Sequence, residues 1–366
     1  MIIERISILN FKNIEEAELS FSPKMNCLFG DNGMGKTNLL DALYYLSFTK
    51  NYTNLSDTQL IKQETDFCVL QGFYSEEDRI EEIYCGIKRK QKKAFKRNKK
   101  EYERLSEHIG LIPIVMISPA DTDLIQRGSE ERRKFVDMLI CQYDKEYLQA
   151  LIHYNKTLLQ RNSLLKENTS LSDDSLFEIL EEQMVHYGEI IYEKRKAFIQ
   201  DFLPVFKKYY SIISNEREIV DLQYESQLDN FPFADLLSEK REKDKILGYT
   251  SAGVHKDDFN FLLDKYLIRK IGSQGQNKTY LIALKLAQFS FFIQKGSSIP
   301  ILLLDDVFDK LDAKRVEKII TLVAQSEFGQ IFITDTNRKY LDEILAGMQH
   351  DYKLFQVNNG AITELE

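Results

Sequence analysis

An α/β fold built on a parallel sheet and interrupted by a helical segment is predicted by three features of the sequence. A glycine-rich turn separates an apolar pentad from a leucine-rich run in "MNCLFGDNGMGKTNLL". A second apolar run, "IPILLLDD", ends in two aspartates far downstream. Between these, residues 126–244 place leucines and aromatics at mixed three- and four-residue spacing, the signature of packed helices rather than strands.

The first element is the strand–turn–helix around the glycines. "MNCLF" reads as a short strand, and Leu39, Leu40, Leu43, Tyr44 and Leu46 recur at helical spacing. Gly30, Gly35, Lys36 and Thr37 match G-x-x-x-x-G-K-[ST], the loop that cradles phosphates. Gly30, Asp31, Asn32, Gly33, Met34 and Gly35 would wrap the phosphates with backbone N–H groups. Lys36, Thr37 and Asn38 open the helix, whose positive end adds to the attraction. Lys36 is expected to reach the terminal phosphates and assist their chemistry, and the Thr37 hydroxyl to ligate Mg²⁺.

The strand "IPILLLDD" has no polar alternation, as expected of a strand buried on both faces of a parallel sheet. Asp305 at its carboxyl end would hold the Mg²⁺ opposite Thr37. Asp306 would orient or deprotonate the attacking water. Just upstream, Ser273, Gln274, Gly275 and Gln276 read as a small polar turn before a long amphipathic helix carrying Leu281, Leu284, Leu286 and Phe289. A serine and free amides at a helix start form a second anion site, so one phosphate site shared between two copies of the chain is expected. "NKTY" lacks the final aspartate of a guanine-reading motif, which speaks against a GTPase.

The helical segment is too short for a long coiled coil and shows no sustained heptads. Leu148, Leu151, Leu158, Leu159, Ile179, Leu180, Tyr187 and Ile191 suggest a compact helical lobe instead. The expected organisation is residues 1–125, 126–244 (helical insertion) and 245–366.

Composition narrows the function classes. The chain has 366 residues and a net charge of −8, so any polyanion site must be a local patch. Its four cysteines are scattered, which argues against a zinc site or a disulfide framework and for a reducing compartment. No secretory leader and no apolar run of membrane-spanning length is evident, so a soluble, cytoplasmic protein with no membrane partner is expected. One patch stands out: Lys88, Arg89, Lys90, Lys92, Lys93, Lys96, Arg97, Lys99 and Lys100 crowd into thirteen residues, with Asn98-Lys99 as a candidate turn. It reads either as a DNA-contacting ribbon or as a solvated hairpin whose lysines blunt a sheet edge. Arg132, Arg133 and Lys134 would extend such a surface or pair with Glu130 and Glu131.

Six segments in order carry a resemblance: "LNFKNI", "GDNGMGKTNLLDALYYLS", "ISPADTDLIQRGSEERRKFVD", "GVHKDDF", "SQGQNKT" with "IALKLA", and "LLLDDVFDKLD". In these the chain resembles the RecF family of ABC-type ATPases, nearly end to end. The resemblance implies an ABC-type P-loop ATPase head, a mixed sheet with flanking helices and an inserted compact helical domain. It implies that two copies close on ATP, that Ser273–Gln276 is the signature facing the partner's Lys36, and that Asp309–Asp312 cross the dimer interface. It assigns Lys12 to a phosphate, raises His255 as a residue near the nucleotide or the dimer face, and places Asp335 where most ABC ATPases have a histidine. With Asp306 replacing the more usual glutamate, slow hydrolysis is expected. The implied role is recombinational repair at gapped or double-stranded DNA, assisting RecA loading with RecO and RecR. Two alternatives are an ABC transporter-type ATPase subunit and a small-molecule P-loop kinase.

Overall fold

A computed structural model of the chain describes residues 1–53, 55–76, 79–167, 174–216, 218–296, 298–308, 311, 313–323, 328–336 and 352–365. Of the expected Asp309–Asp312 crossing segment, residues 309, 310 and 312 lie outside the described residues. The chain divides into two compact units. The first comprises Met1–Thr122, Ile212–Asn215 and Gln274–Glu366, and the second Asp123–Ser211 and Glu216–Ser273.

In chain order the elements are β1 (Ile2–Phe11), β2 (Ile14–Ser20), β3 (Met25–Phe29), α1 (Lys36–Phe48), β4 (Phe67–Glu76), β5 (Arg79–Lys88), β6 (Ala94–Arg97), β7 (Lys100–Glu101) and β8 (Ile114–Ile117). Helices α2 (Thr122–Gln126), α3 (Ser129–Tyr143), α4 (Lys145–Glu167) and α5 (Asp174–Ser214) follow. Then come β9 (Val220–Glu225), α6 (Phe233–Leu247), β10 (Asp258–Leu263), β11 (Tyr266–Leu267), α7 (Ile268–Ile271) and α8 (Gln274–Gln294). The chain continues through β12 (Ile301–Asp305), α9 (Ala313–Val323), β13 (Ile331–Asp335), β14 (Tyr352–Asn358) and β15 (Ala361–Leu365).

The first unit holds two six-stranded sheets, ordered β2-β1-β4-β5-β6-β7 and β15-β14-β3-β13-β12-β8. In the second sheet β14, β3, β13, β12 and β8 run parallel, and only the edge strand β15 is antiparallel. Its central strands β12 and β13 are buried at every position, which explains why their sequences lack polar alternation. The antiparallel sheet alternates instead, with one face buried and the other partly open. Helix α1 packs against strands of both sheets, and this double burial accounts for its nearly continuous run of apolar residues.

Two expectations in this unit need correction. Residues 274–276 do not form a turn before a helix, because α8 already starts at Gln274. Nor is α8 amphipathic: it is buried continuously from Thr279 to Phe289, so apolar side chains occupy most of its circumference and its buried Lys285 pairs with Asp121.

The second unit is more than a helical segment and runs past residue 244 to Ser273. It contains α3 to α6 and a three-stranded antiparallel sheet, β11-β10-β9. The pairing of Val220–Glu225 with Asp258–Leu263 ties the segment after α6 into this unit. The inward stripe of α4 also differs from the leucine pattern. Leu159 is 70% exposed and Ile179 on α5 is 53% exposed, whereas Tyr154, Thr157 and Arg161 are buried. Arg161 is fully buried and donates to Asp244, Glu181 and Thr250. A buried guanidinium needs this full set of acceptors.

Candidate phosphate and metal site

The glycine loop joins β3 to α1 at the carboxyl end of the parallel sheet, where ligands bind in such sheets. Two glycines are required by what surrounds them. A Cβ on Gly30 would lie 2.3 Å from the Val357 carbonyl oxygen of β14. Gly35 has a φ of 110°, in the left-handed region, and a Cβ there would collide with the Asn13 side chain. The tip, Asp31 to Gly33, is exposed, while Gly35 and Lys36 are buried.

Lys36 is 4% exposed, and its ammonium donates to the carbonyls of Gly30 at 2.7 Å and Asp31 at 3.2 Å. No carboxylate pairs with it among the described residues. A buried cation whose acceptors are all neutral suits an anion placed inside the loop.

The two distant motifs meet at the next residue. Thr37 Oγ1 lies 3.0 Å from both carboxylate oxygens of Asp305. Between β3 and β12 runs β13, whose Thr334 is in register with Asp305 and donates to it at 2.7 Å. The Thr334 hydroxyl also accepts from the Asp306 N–H at 3.1 Å. Burial pushes the Asp305 carboxyl up to about 6; hydrogen bonds from Thr334 and Thr37 pull it down, and Asp306 and Asp41 push it up again. A hydroxyl and a desolvated carboxylate in contact, with a second acid behind, form a hard-oxygen donor set that fits Mg²⁺. Asp306 sits half-buried with a φ of 45°, and no bond to its carboxylate occurs among the described residues. Lys278 donates to its carbonyl at 3.3 Å. Asp335 is buried at the end of β13, in register with Phe29 of the loop strand.

Several residues that sequence reasoning missed brace the loop. Asn13, in the turn between β1 and β2, donates to the Met34 carbonyl at 3.2 Å and accepts from Asn38 at 2.7 Å. The Gly360 N–H also donates to the Met34 carbonyl, at 2.9 Å, from the turn between β14 and β15. Thr334, also missed, braces Asp305 and the Asp306 N–H instead of the loop. Asn13 lies within "LNFKNI", yet nothing local marks it as a brace.

Other expected site residues lie elsewhere. Lys12 is ion-paired with Asp41 of α1, a carboxylate only 1% exposed and raised by burial against the pull of Lys12. Ser273 and Gln274 are exposed and Gly275 and Gln276 half-exposed at the start of α8. The basic stretch forms the β5–β6–β7 meander, with Asn98 and Lys99 at positive φ in its second turn. Its nine cations are not equivalent. Lys93 turns inward, donating to Thr49 O at 2.5 Å and Tyr45 Oη at 2.9 Å and pairing with Asp57. Arg97 pairs with Glu81, whereas Lys88, Arg89, Lys90, Lys92, Lys99 and Lys100 are exposed.

Within the second unit, Arg132 pairs with Asp258 and Arg133 donates to the Asp257 carbonyl. Only Lys134 pairs with Glu130 and Glu131, so these three side chains are engaged internally. His255 donates from Nε2 to Thr250 O at 3.1 Å and accepts at Nδ1 from Tyr154 at 2.8 Å. Burial lowers it to about 4, which makes it a neutral structural histidine.

Comparison with known proteins agrees with this geometry. The family model described as RecF/RecN/SMC N terminal domain matches residues 2–363. The "DNA replication and repair protein RecF" of Azobacteroides pseudotrichonymphae genomovar. CFP2 is 71% identical over 365 residues, covering 100% of both chains. That of Bacteroides fragilis strain YCH46 is 59% identical over 367 residues, covering 100% of this chain and 99% of the relative. A solved structure described as the recombination mediator protein RecF-ATP in the RecFOR pathway superposes with a TM-score of 0.89 at 29% identity, covering 100% and 97% of the two chains. An Smc head bound to the C-winged helix domain of ScpA shares the fold, with a TM-score of 0.59 at 16% identity over 100% and 98%.

Proposed function

From the premise that the chain belongs to the RecF/RecN/SMC family, and within it to the RecF family of DNA replication and repair proteins, we propose that it is an ATP-dependent DNA clamp of recombinational repair. The transporter-subunit alternative is not favoured beside full-length relatives of this kind. The observation that carries the reading is the meeting of Thr37 with Asp305 beside a buried, anion-seeking Lys36. Relatives described with ATP in this fold support the same nucleotide here.

In this reading the loop from Gly30 to Gly35 offers N–H donors to the phosphates, and Lys36 neutralises the terminal ones. Thr37 and Asp305 hold Mg²⁺, which supplies positive charge against the developing negative charge. Asp306, whose carboxylate has no bond among the described residues, orients or deprotonates water. Ser273 to Gln276, exposed or half-exposed at the start of α8, cap the nucleotide of a second copy. The free energy of nucleotide binding then shifts the equilibrium toward the closed pair, and slow hydrolysis reopens it. The exposed cations of the β5–β6–β7 meander meet DNA phosphates. RecO and RecR as partners, RecA loading as the outcome and the cytoplasm as the location come from the family resemblance. Among the described residues no helix is long and apolar enough to cross a membrane.

The test is anisotropy of a labelled gapped duplex at fixed salt without nucleotide, with ATP, and with a non-hydrolysable analogue. Binding that tightens with ATP and persists with the analogue supports the clamp. Absence of DNA binding in all three conditions overturns it.

A further inference from the structure

The antiparallel sheet of the first unit has two unlike faces. Its inner face is set against α1, where a Cβ on Gly72 of β4 would lie 3.0 Å from Leu46 Cδ1. Its outer face carries the residues that alternate with the buried ones. On β4 and β5 these include Phe67 opposite Lys88, Val69 opposite Gly86, and Gln71 opposite Tyr84. Lys96 of β6 continues the Tyr84 row.

Two aromatic rings on this face are placed in a way that core packing does not explain. Phe67 is 42% exposed at the end of β4. Tyr84 folds along its own strand: a Cβ on Gly86 would lie 2.9 Å from the Tyr84 hydroxyl and 3.3 Å from its ring. Gly86 therefore leaves the space in which this ring lies along the sheet. Lys88 stands across from Phe67, and the Lys96 ammonium lies over the Tyr84 ring, 5.7 Å from its centre, so a base stacking on Tyr84 takes its place and leaves Lys96 to a phosphate. The exposed loop of Arg89, Lys90 and Lys92 continues the positive charge past this end of the sheet.

We propose that the outer face of β4, β5 and β6 is a stacking platform for single-stranded DNA, with Phe67 and Tyr84 receiving bases and Lys88 and Lys96 meeting the phosphates. The inference rests on the DNA reading above and assigns it a second contact mode. Exposed rings on a sheet stack unpaired bases, whereas in a duplex the base faces are already occupied by their neighbours. The charges also limit the path. Glu16 stands on the outer side of β2, where Glu18 is paired with Arg5, and Glu82 of β5 accepts from Gln71 beyond Tyr84. The polyanion is therefore expected at the Phe67–Lys88 end of β4–β6, where no carboxylate among the described residues alternates onto the outer face. The four steps along β5 from Tyr84 to Lys88 span about 14 Å at roughly 3.4 Å per residue, room for about two bases.

The chain contains no tryptophan, so Phe67→Trp creates a single fluorescent reporter on the platform. Full-length F67W is titrated with oligo(dT) and with a blunt duplex of equal length. The expected result is quenching by oligo(dT) and none by the duplex. In parallel, a Phe67→Ala/Tyr84→Ala double variant should weaken oligo(dT) binding about tenfold or more. Its dependence of log K on log salt and its duplex affinity should stay unchanged, and Tyr84→Phe should bind like the parent. Unquenched F67W at saturating oligo(dT), or equal losses for duplex and single strand, would overturn the platform. Wild-type protein that binds neither DNA refutes the DNA reading itself; binding to duplex with no effect of the ring substitutions refutes only this inference.

Discussion

Replacing Asn13 with alanine should loosen the phosphate loop without touching any residue of the G-x-x-x-x-G-K-[ST] motif. The Asn13 amide donates to Met34 O at 3.2 Å and its oxygen accepts from Asn38 at 2.7 Å. Each such neutral bond contributes about 0.5–1.5 kcal/mol net. Met34 O keeps its bond from Gly360 N, so the larger loss falls on the half-buried Asn38 amide. A total of about 1–2 kcal/mol follows, which corresponds to a five- to thirtyfold loss of ATP affinity if the loop must be rebuilt on binding. Asn13→Asp keeps the acceptor for Asn38, removes the donor to Met34 O, and brings a negative charge toward the phosphates. It should therefore bind ATP more weakly than Asn13→Ala. The assay is titration with a fluorescent ATP analogue, alongside thermal melting of the apo protein. Wild-type ATP affinity in both variants would refute the bracing argument, and reduced melting temperature with unchanged affinity would reduce Asn13 to a fold element.

Lys93 is expected to behave unlike its basic neighbours. Lys93→Met should lower unfolding free energy by about 1–2 kcal/mol through its lost bonds to Thr49, Tyr45 and Asp57, and leave the salt slope of DNA binding unchanged. Lys90→Gln with Lys92→Gln should instead reduce that slope by about 2 and leave denaturant unfolding unaltered. Arg161→Met strands the fully buried Asp244 and should cost about 3–5 kcal/mol in urea denaturation. His255 is held neutral by burial, at about 4 against an ordinary 6.5. The unfolded chain thus takes up a proton first, so its contribution is complete above pH 6.5 and about 3 kcal/mol is lost as pH falls from 6.5 to 4. Melting curves of wild type and His255→Gln over that range should show a shallower pH dependence in the variant.

The loop, its strand and its helix were legible in the sequence because their requirements are local. Glycines at Gly30 and Gly35 permit a backbone path that other residues resist, and the strand "MNCLF" and the helix from Lys36 have the bounds the pattern implies. The buried strand "ILLLD" was equally plain, since a strand covered on both faces cannot alternate. A full-length set of spaced motifs carried the family. What the sequence left open was decided by partners distant along the chain. Lys12 and Lys93 look like free surface cations until Asp41, Asp57 and the Thr49 carbonyl are placed beside them. Arg132 pairs with Asp258 and not with the nearby Glu130 or Glu131, because β10 pairs with β9 in the same unit and carries that carboxylate. Helix α8 is buried on every side, with Lys285 paired to the buried Asp121, a fact no periodicity reveals. Asn13 and Gly360 reach the loop from two separate turns, and Thr334 reaches Asp305 from the neighbouring strand. Backbone conformation is a property of neighbouring residues and can be read in order. Hydrogen-bond and ion-pair partners are chosen by whatever the folded sheets bring within about 3 Å, and only the tertiary structure states what that is.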